Sequence, residues 1–201
     1  TSGSYWHWDA SADKVIQVGS TQLTGALTIG VDGTGHDVKL FGDTASAYME
    51  WDQSADELEI RGPVATAGKL LLSTAEATVV DGNKLGQIDF QSPLHGSAGH
   101  DGRLVGASIY AEADATFSSS VNSTDLVFAT GDSETATEKF RIDSTGVCTF
   151  ADGAIDVNIA SHDGSNGLKL GGTLVTATAA DFNGLIPLGK SLALAIVFAS
   201  D

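Results

Sequence analysis

Two eleven-residue segments of this chain align without a gap: YWHWDASADKV, from Tyr5 to Val15, and YMEWDQSADEL, from Tyr48 to Leu58, 43 residues further on. Tyr5 matches Tyr48, Trp8 matches Trp51 and Asp9 matches Asp52, while Ser11, Ala12 and Asp13 match Ser54, Ala55 and Asp56. Aromatic positions held in register with an Asp-x-Ser-Ala-Asp string make chance a poor explanation. Fixed periods of about 20–50 residues mark arrays in which each unit is one supersecondary motif.

The unit reads as a β-hairpin. Tyr48 to Asp52 forms one short strand, and Gln53-Ser54-Ala55-Asp56 is a polar turn whose Ser and Asp side chains bond back to the backbone. Glu57-Leu58-Glu59-Ile60-Arg61 then alternates polar and apolar, the pattern of a half-buried strand. A lone hairpin is marginal in water, so each unit must stack on its neighbours or on other chains. Three chains around one axis meet that need. Thr1 aligns with Thr44, and the strand-like stretch Asp37 to Gly42 before the second copy has no counterpart before the first. The chain is therefore expected to be the C-terminal part of a longer polypeptide.

The same idiom continues downstream. Lys69–Leu72, Leu85–Gln91, Arg103–Ala111, Thr124–Gly131, Lys139–Ile142, Val147–Phe150, Ile155–Ile159 and Leu168–Leu170 read as strands, separated by glycine-rich polar turns. Ala177–Asn183 is the one helix candidate. Ser191–Phe198 is too apolar for an exposed edge, and its Leu192, Leu194, Ile196 and Phe198 are expected in a buried strand between subunits. The predicted organisation is all-β, elongated and built of repeated hairpins and short sheets. Residues 1–68 hold the two hairpin repeats, the first truncated at its start. Residues 69–150 form a central β domain, and residues 151–201 a C-terminal β segment with a short helix and the buried final strand.

Charge narrows the function classes. The chain carries 26 acidic and 10 basic residues, a formal net charge of −16. Such a surface repels nucleic-acid phosphates and anionic lipid, so neither nucleic-acid binding nor membrane insertion is expected. No stretch reaches the ~20 apolar residues of a membrane span. The single cysteine, Cys148, rules out an intrachain disulfide and is expected to be buried and inert.

No catalytic constellation emerges. The histidines, His7, His36, His95, His100 and His162, lack zinc-like pairing. His95, His100 and Asp101 share one loop, for which turn chemistry is the favoured reading. The Asp-Gly pairs at Asp32, Asp81, Asp101, Asp152 and Asp163 match no calcium-loop pattern and are explained by turns. No cofactor is expected, with calcium the remaining alternative. Nucleophile elbows and phosphate loops are absent from the sequence, and no enzyme activity is expected. Tyr5, Trp6, Trp8, Tyr48 and Trp51 are candidates for two roles: packing within hairpins or along a trimer axis, which is favoured, and stacking on host glycan.

The strings LVFATGDSETATEKFRIDSTG, Leu126 to Gly146, and GVDGTGHDVKLFG, Gly30 to Gly42, followed by YMEWDQSAD, resemble segments of phage tail-fibre and tail-spike proteins. The style is similar to fibre-like virion proteins of marine and cyanobacterial phages. The resemblance implies an intertwined homotrimer on the virion surface, in a tail or head appendage, acting as a spacer and adhering to a host-surface glycan or protein. It also implies that the earlier part of the chain joins other virion proteins. A capsid head fibre or decoration protein is the first alternative. A tail-spike enzyme that degrades polysaccharide is the second.

Overall fold

The computed structural model describes residues 5–93, 97, 99–151, 157–163, 165–177 and 181. The chain divides into two compact units, Thr1–Leu72 and Ser73–Asp201. The regular structure is essentially all antiparallel β, in several small sheets.

In the first unit, β1 (Tyr5–Asp9) pairs with β2 (Lys14–Val18), and β4 (Tyr48–Asp52) lies between β3 (Val38–Phe41) and β5 (Glu57–Arg61). The turns of the two hairpins close in the same way. Asp9 Oδ1 accepts from the Ser11 amide at 3.0 Å, the Ser11 hydroxyl at 2.7 Å and the Ala12 amide at 3.3 Å. Asp52 Oδ1 accepts from the Ser54 amide at 2.8 Å, the Ser54 hydroxyl at 2.7 Å and the Ala55 amide at 3.1 Å. The last turn residue sits left-handed in both, Asp13 at φ 50° and Asp56 at φ 53°, a conformation that a short polar side chain tolerates better than most.

Cross-strand partners share a face, so register sorts the β3–β5 sheet into two unlike surfaces. One bears Lys39, Phe41, Tyr48, Glu50, Glu59 and Arg61, and the other bears Val38, Leu40, Met49, Trp51, Leu58 and Ile60. No described residue of this unit is buried.

The second unit is built on a five-stranded meander. Its strands are β6 (Lys84–Gln91), β7 (Val105–Ala113), β8 (Thr124–Thr130), β9 (Thr137–Ile142) and β10 (Cys148–Phe150), adjacent in chain order. A 3₁₀ turn at Asp101–Arg103 leads into β7, where the His100 Nδ1 accepts from the Gly102 amide at 3.0 Å. A short hairpin follows, β11 (Lys169–Leu170) with β12 (Thr173–Leu174). Among the described residues the buried ones all lie on β7 and β8: Ser108, Ala113, Asp125, Val127 and Ala129. Val127 is fully buried, in register between Tyr110 and Arg141.

Three expectations are corrected. Lys69–Leu72 is not a strand: it has no ladder partner, and Leu70, Leu71 and Leu72 stand exposed. Val157–Ile159 is likewise outside any strand. Cys148 is exposed, because β10 is a three-residue strand at the edge of its sheet. The predicted helix lies outside the described residues except for Ala177 and Asp181. The apolar segment with Leu192, Leu194, Ile196 and Phe198 lies outside them entirely.

Candidate functional site

The predicted aromatics fall into different environments. Tyr48 is held in a polar lattice. Its hydroxyl donates to Glu59 Oε2 and accepts from Arg61 Nη1, both at 2.8 Å, and the Lys39 ammonium lies 4.3 Å from its ring centroid. Phe41 meets the ring edge-on at 6.4 Å, and Lys39 pairs with Glu50 at 2.7 Å. These contacts tie Tyr48 to β3 and β5 of its own sheet. Tyr5 and Trp8 stand about half exposed in β1. Trp6 is paired with Gln17, and its side chain lies outside the described structure.

Trp51 borders a cleft. Val31, Asp32, Gly33, Gly35, Gln53 and Asp56 complete its lining, around a volume of about 470 Å³. The loop that builds the wall is tight: Val31 and Thr34 exchange backbone hydrogen bonds of 3.1 and 2.9 Å around Asp32-Gly33. Gly30 permits this closure, since at φ +80° a Cβ would come within 2.9 Å of the Thr34 carbonyl oxygen. On the other side the Gln53 amide donates to Asp37 Oδ1 at 3.0 Å, tying the β4–β5 turn to the start of β3. A part-exposed indole beside two carboxylates and an amide is chemically able to stack on a sugar ring and accept from its hydroxyls.

The polar face of the central sheet carries an ion cluster. Arg141 donates through Nε to Glu138 Oε1 at 2.9 Å and through Nη2 to Glu138 Oε2 at 2.7 Å and Glu112 Oε1 at 3.2 Å. Its Nη1 also bonds the buried Asp125, whose other oxygen accepts from the Ser144 amide at 3.0 Å. The bidentate pair with Arg141 lowers the Glu138 pKa, and burial raises that of Tyr110. Lys84 sits over the Tyr110 ring at 3.8 Å. Three carboxylates converge on one guanidinium, so the cluster ties β7, β8 and β9 together.

The opposite face is apolar at every paired position except for threonines. Ile88 and Phe90 face Ile109 and Ala107, Leu126 and Phe128 face Ile142 and Phe140, and Cys148 and Phe150 close the edge. Three rings run across it, Phe128 to Phe140 at 5.7 Å and Phe140 to Phe150 at 5.1 Å. Ile88, Phe90, Leu126 and Phe150 remain 40–53% exposed. The alternation Gly86-Gln87-Ile88-Asp89-Phe90 marks one apolar side of β6, and no sequence signal distinguishes a side covered by the same chain from one left open.

Among the described residues no group of three His, Cys, Asp or Glu side chains is arranged to hold a metal ion. His100 caps the 3₁₀ turn, whereas His95 lies outside the described residues. His162 braces the β11–β12 loop, accepting from the Leu168 amide at 3.3 Å and donating through Nε2 to the Ala177 carbonyl at 2.8 Å. Among the described residues no helix is long and apolar enough to cross a membrane. No protein-family model matches the sequence, and no curated protein matches it.

Proposed function

We propose that this chain is a structural subunit of a homotrimeric virion fibre, serving as a spacer rather than as a catalyst. The observation that carries the reading is where the apolar side chains lie. Only Ala113, Val127 and Ala129 are buried among the described apolar residues, while 27 large ones, from Tyr5 to Leu170, are exposed. A chain of 201 residues in a self-sufficient domain buries about 70% or more of the surface it exposes when unfolded. Among the described residues, large apolar side chains on the sheet faces stay exposed, as in subunits whose core forms on assembly. The 43-residue spacing of the two hairpins and the fibre-like strings support the choice of a fibre.

The mass in solution tests the proposal. Light scattering on the purified protein is expected to give about 62 kDa, three chains of 20.6 kDa. A stable species of one chain overturns it. Adhesion to host glycan is a second reading, favoured by the cleft at Trp51. It predicts that Trp51→Ala abolishes retention on host-cell glycans without changing the mass.

A further inference from the structure

We infer that the apolar face of the β6–β10 sheet is the surface on which copies of this chain meet, packed toward one shared axis. The inference rests on the trimeric reading and names the face that makes it. Three observations identify another copy as the occupant.

The first is charge. At a net charge of −16, two copies repel each other over most of their surfaces. Of the two faces of this sheet, one carries Lys84, Asp89, Glu112, Asp125, Glu138 and Arg141, and the other carries no charge at any paired position. Lys139, at the β8–β9 bulge, bonds Thr137 at 3.0 Å, at the end of the sheet. The uncharged centre of this face is where like-charged chains approach at least electrostatic cost. Depletion of charge from the centre is also the compositional mark of an interface.

The second is area. With about 200 Å² for a fully exposed large side chain, Ile88, Phe90, Leu126 and Phe150 alone leave about 350 Å² open. Those four side chains by themselves reach the ~300–600 Å² range in which the largest apolar patches are often functional.

The third is shape. Five strands spaced about 4.8 Å apart make a face about 19 Å wide, and three such faces closed into a triangle lie about 5.5 Å from its centre, close to half the ~10 Å separation of packed sheets. Side chains such as Phe90, Phe128 and Phe140 fill that distance without a channel.

The test uses two residues that are exposed in the single chain. Phe90 is 53% exposed, so Phe90→Glu is tolerated by the chain's own fold, and only a partner makes it costly. Cys148, the one cysteine, lies on the same face and reports cover through its rate of maleimide labelling. The expected result has three parts. The wild type is an assembly that labels at least tenfold more slowly than unfolded protein. Phe90→Glu runs as a single chain with unchanged far-UV circular dichroism, and it labels fast.

A wild-type trimer that labels fast and is unaffected by Phe90→Glu overturns the inference and leaves the trimeric reading standing. A single chain that labels fast overturns both. A single chain that labels slowly also overturns both, since the cover is then the chain's own. A slow-labelling assembly of two chains keeps the face and overturns the three-fold axis.

Discussion

At the scale of single residues, the most reused device is an aspartate that closes a turn with its own carboxylate. Asp9 and Asp52 do so through Ser11 and Ser54, Asp143 through Thr145 and the Val147 amide, and Asp163 through the amides of Ser165 and Asn166. For the first three the hydroxyl donor is the largest cause of a lowered pKa, and for Asp163 the Ser165 amide is. The folded carboxylates titrate below the ordinary value of 3.8, so their stabilisation is full above it and is lost as pH falls through the depressed folded value. Thermal midpoints followed by circular dichroism are expected to drop as pH falls from about 5 to 2. Asp9→Asn with Asp52→Asn keeps an Oδ1 acceptor and removes the titration, so its midpoints are expected to fall less. Equal slopes would show that these turns do not set the acid limit.

At the scale of elements, each sheet is two-faced, and the polar face of the central one is stitched by Arg141. Asp125 is 2% exposed, and it depends on Arg141 and on the Ser144 amide. Arg141→Met strands that carboxylate in a dry place and is expected to cost about 3 kcal/mol in urea unfolding. Arg141→Met with Asp125→Leu is expected to recover part of the loss, and failure to recover any would show that packing rather than charge is at stake.

Most strands were legible in sequence because polar and apolar residues alternate along them. Gly86-Gln87-Ile88-Asp89-Phe90 states its two faces outright, and Tyr48–Asp52 and Glu57–Arg61 coincide with β4 and β5. What alternation omits is the partner. Lys69–Leu72 has the composition of a strand and finds no ladder, and Cys148 has apolar neighbours and still faces outward. The Arg141 cluster was not legible, since Glu112 and Asp125 reach it from strands distant in sequence. The Trp51 cleft needed the Asp32-Gly33 turn to fold across the sheet.

At the scale of the whole molecule, the proposed assembly sets apolar attraction between copies against the repulsion of 16 net negative charges on each. Salt weakens only the second, with a Debye length falling from about 20 Å near 0.02 M to about 6 Å near 0.3 M. Dissociation on dilution, measured by sedimentation velocity, is therefore expected to become harder as salt rises over that range. Loosening by salt would mean that ion pairs join the copies. The two hairpins have a consequence of a different kind. Each turn is closed by an acid four residues before its left-handed Asp, within its own short segment. An in-frame duplication or loss of 43 codons therefore adds or removes a hairpin with its turn already complete, so the length of such a protein is open to change by unequal recombination while its ends stay as they are.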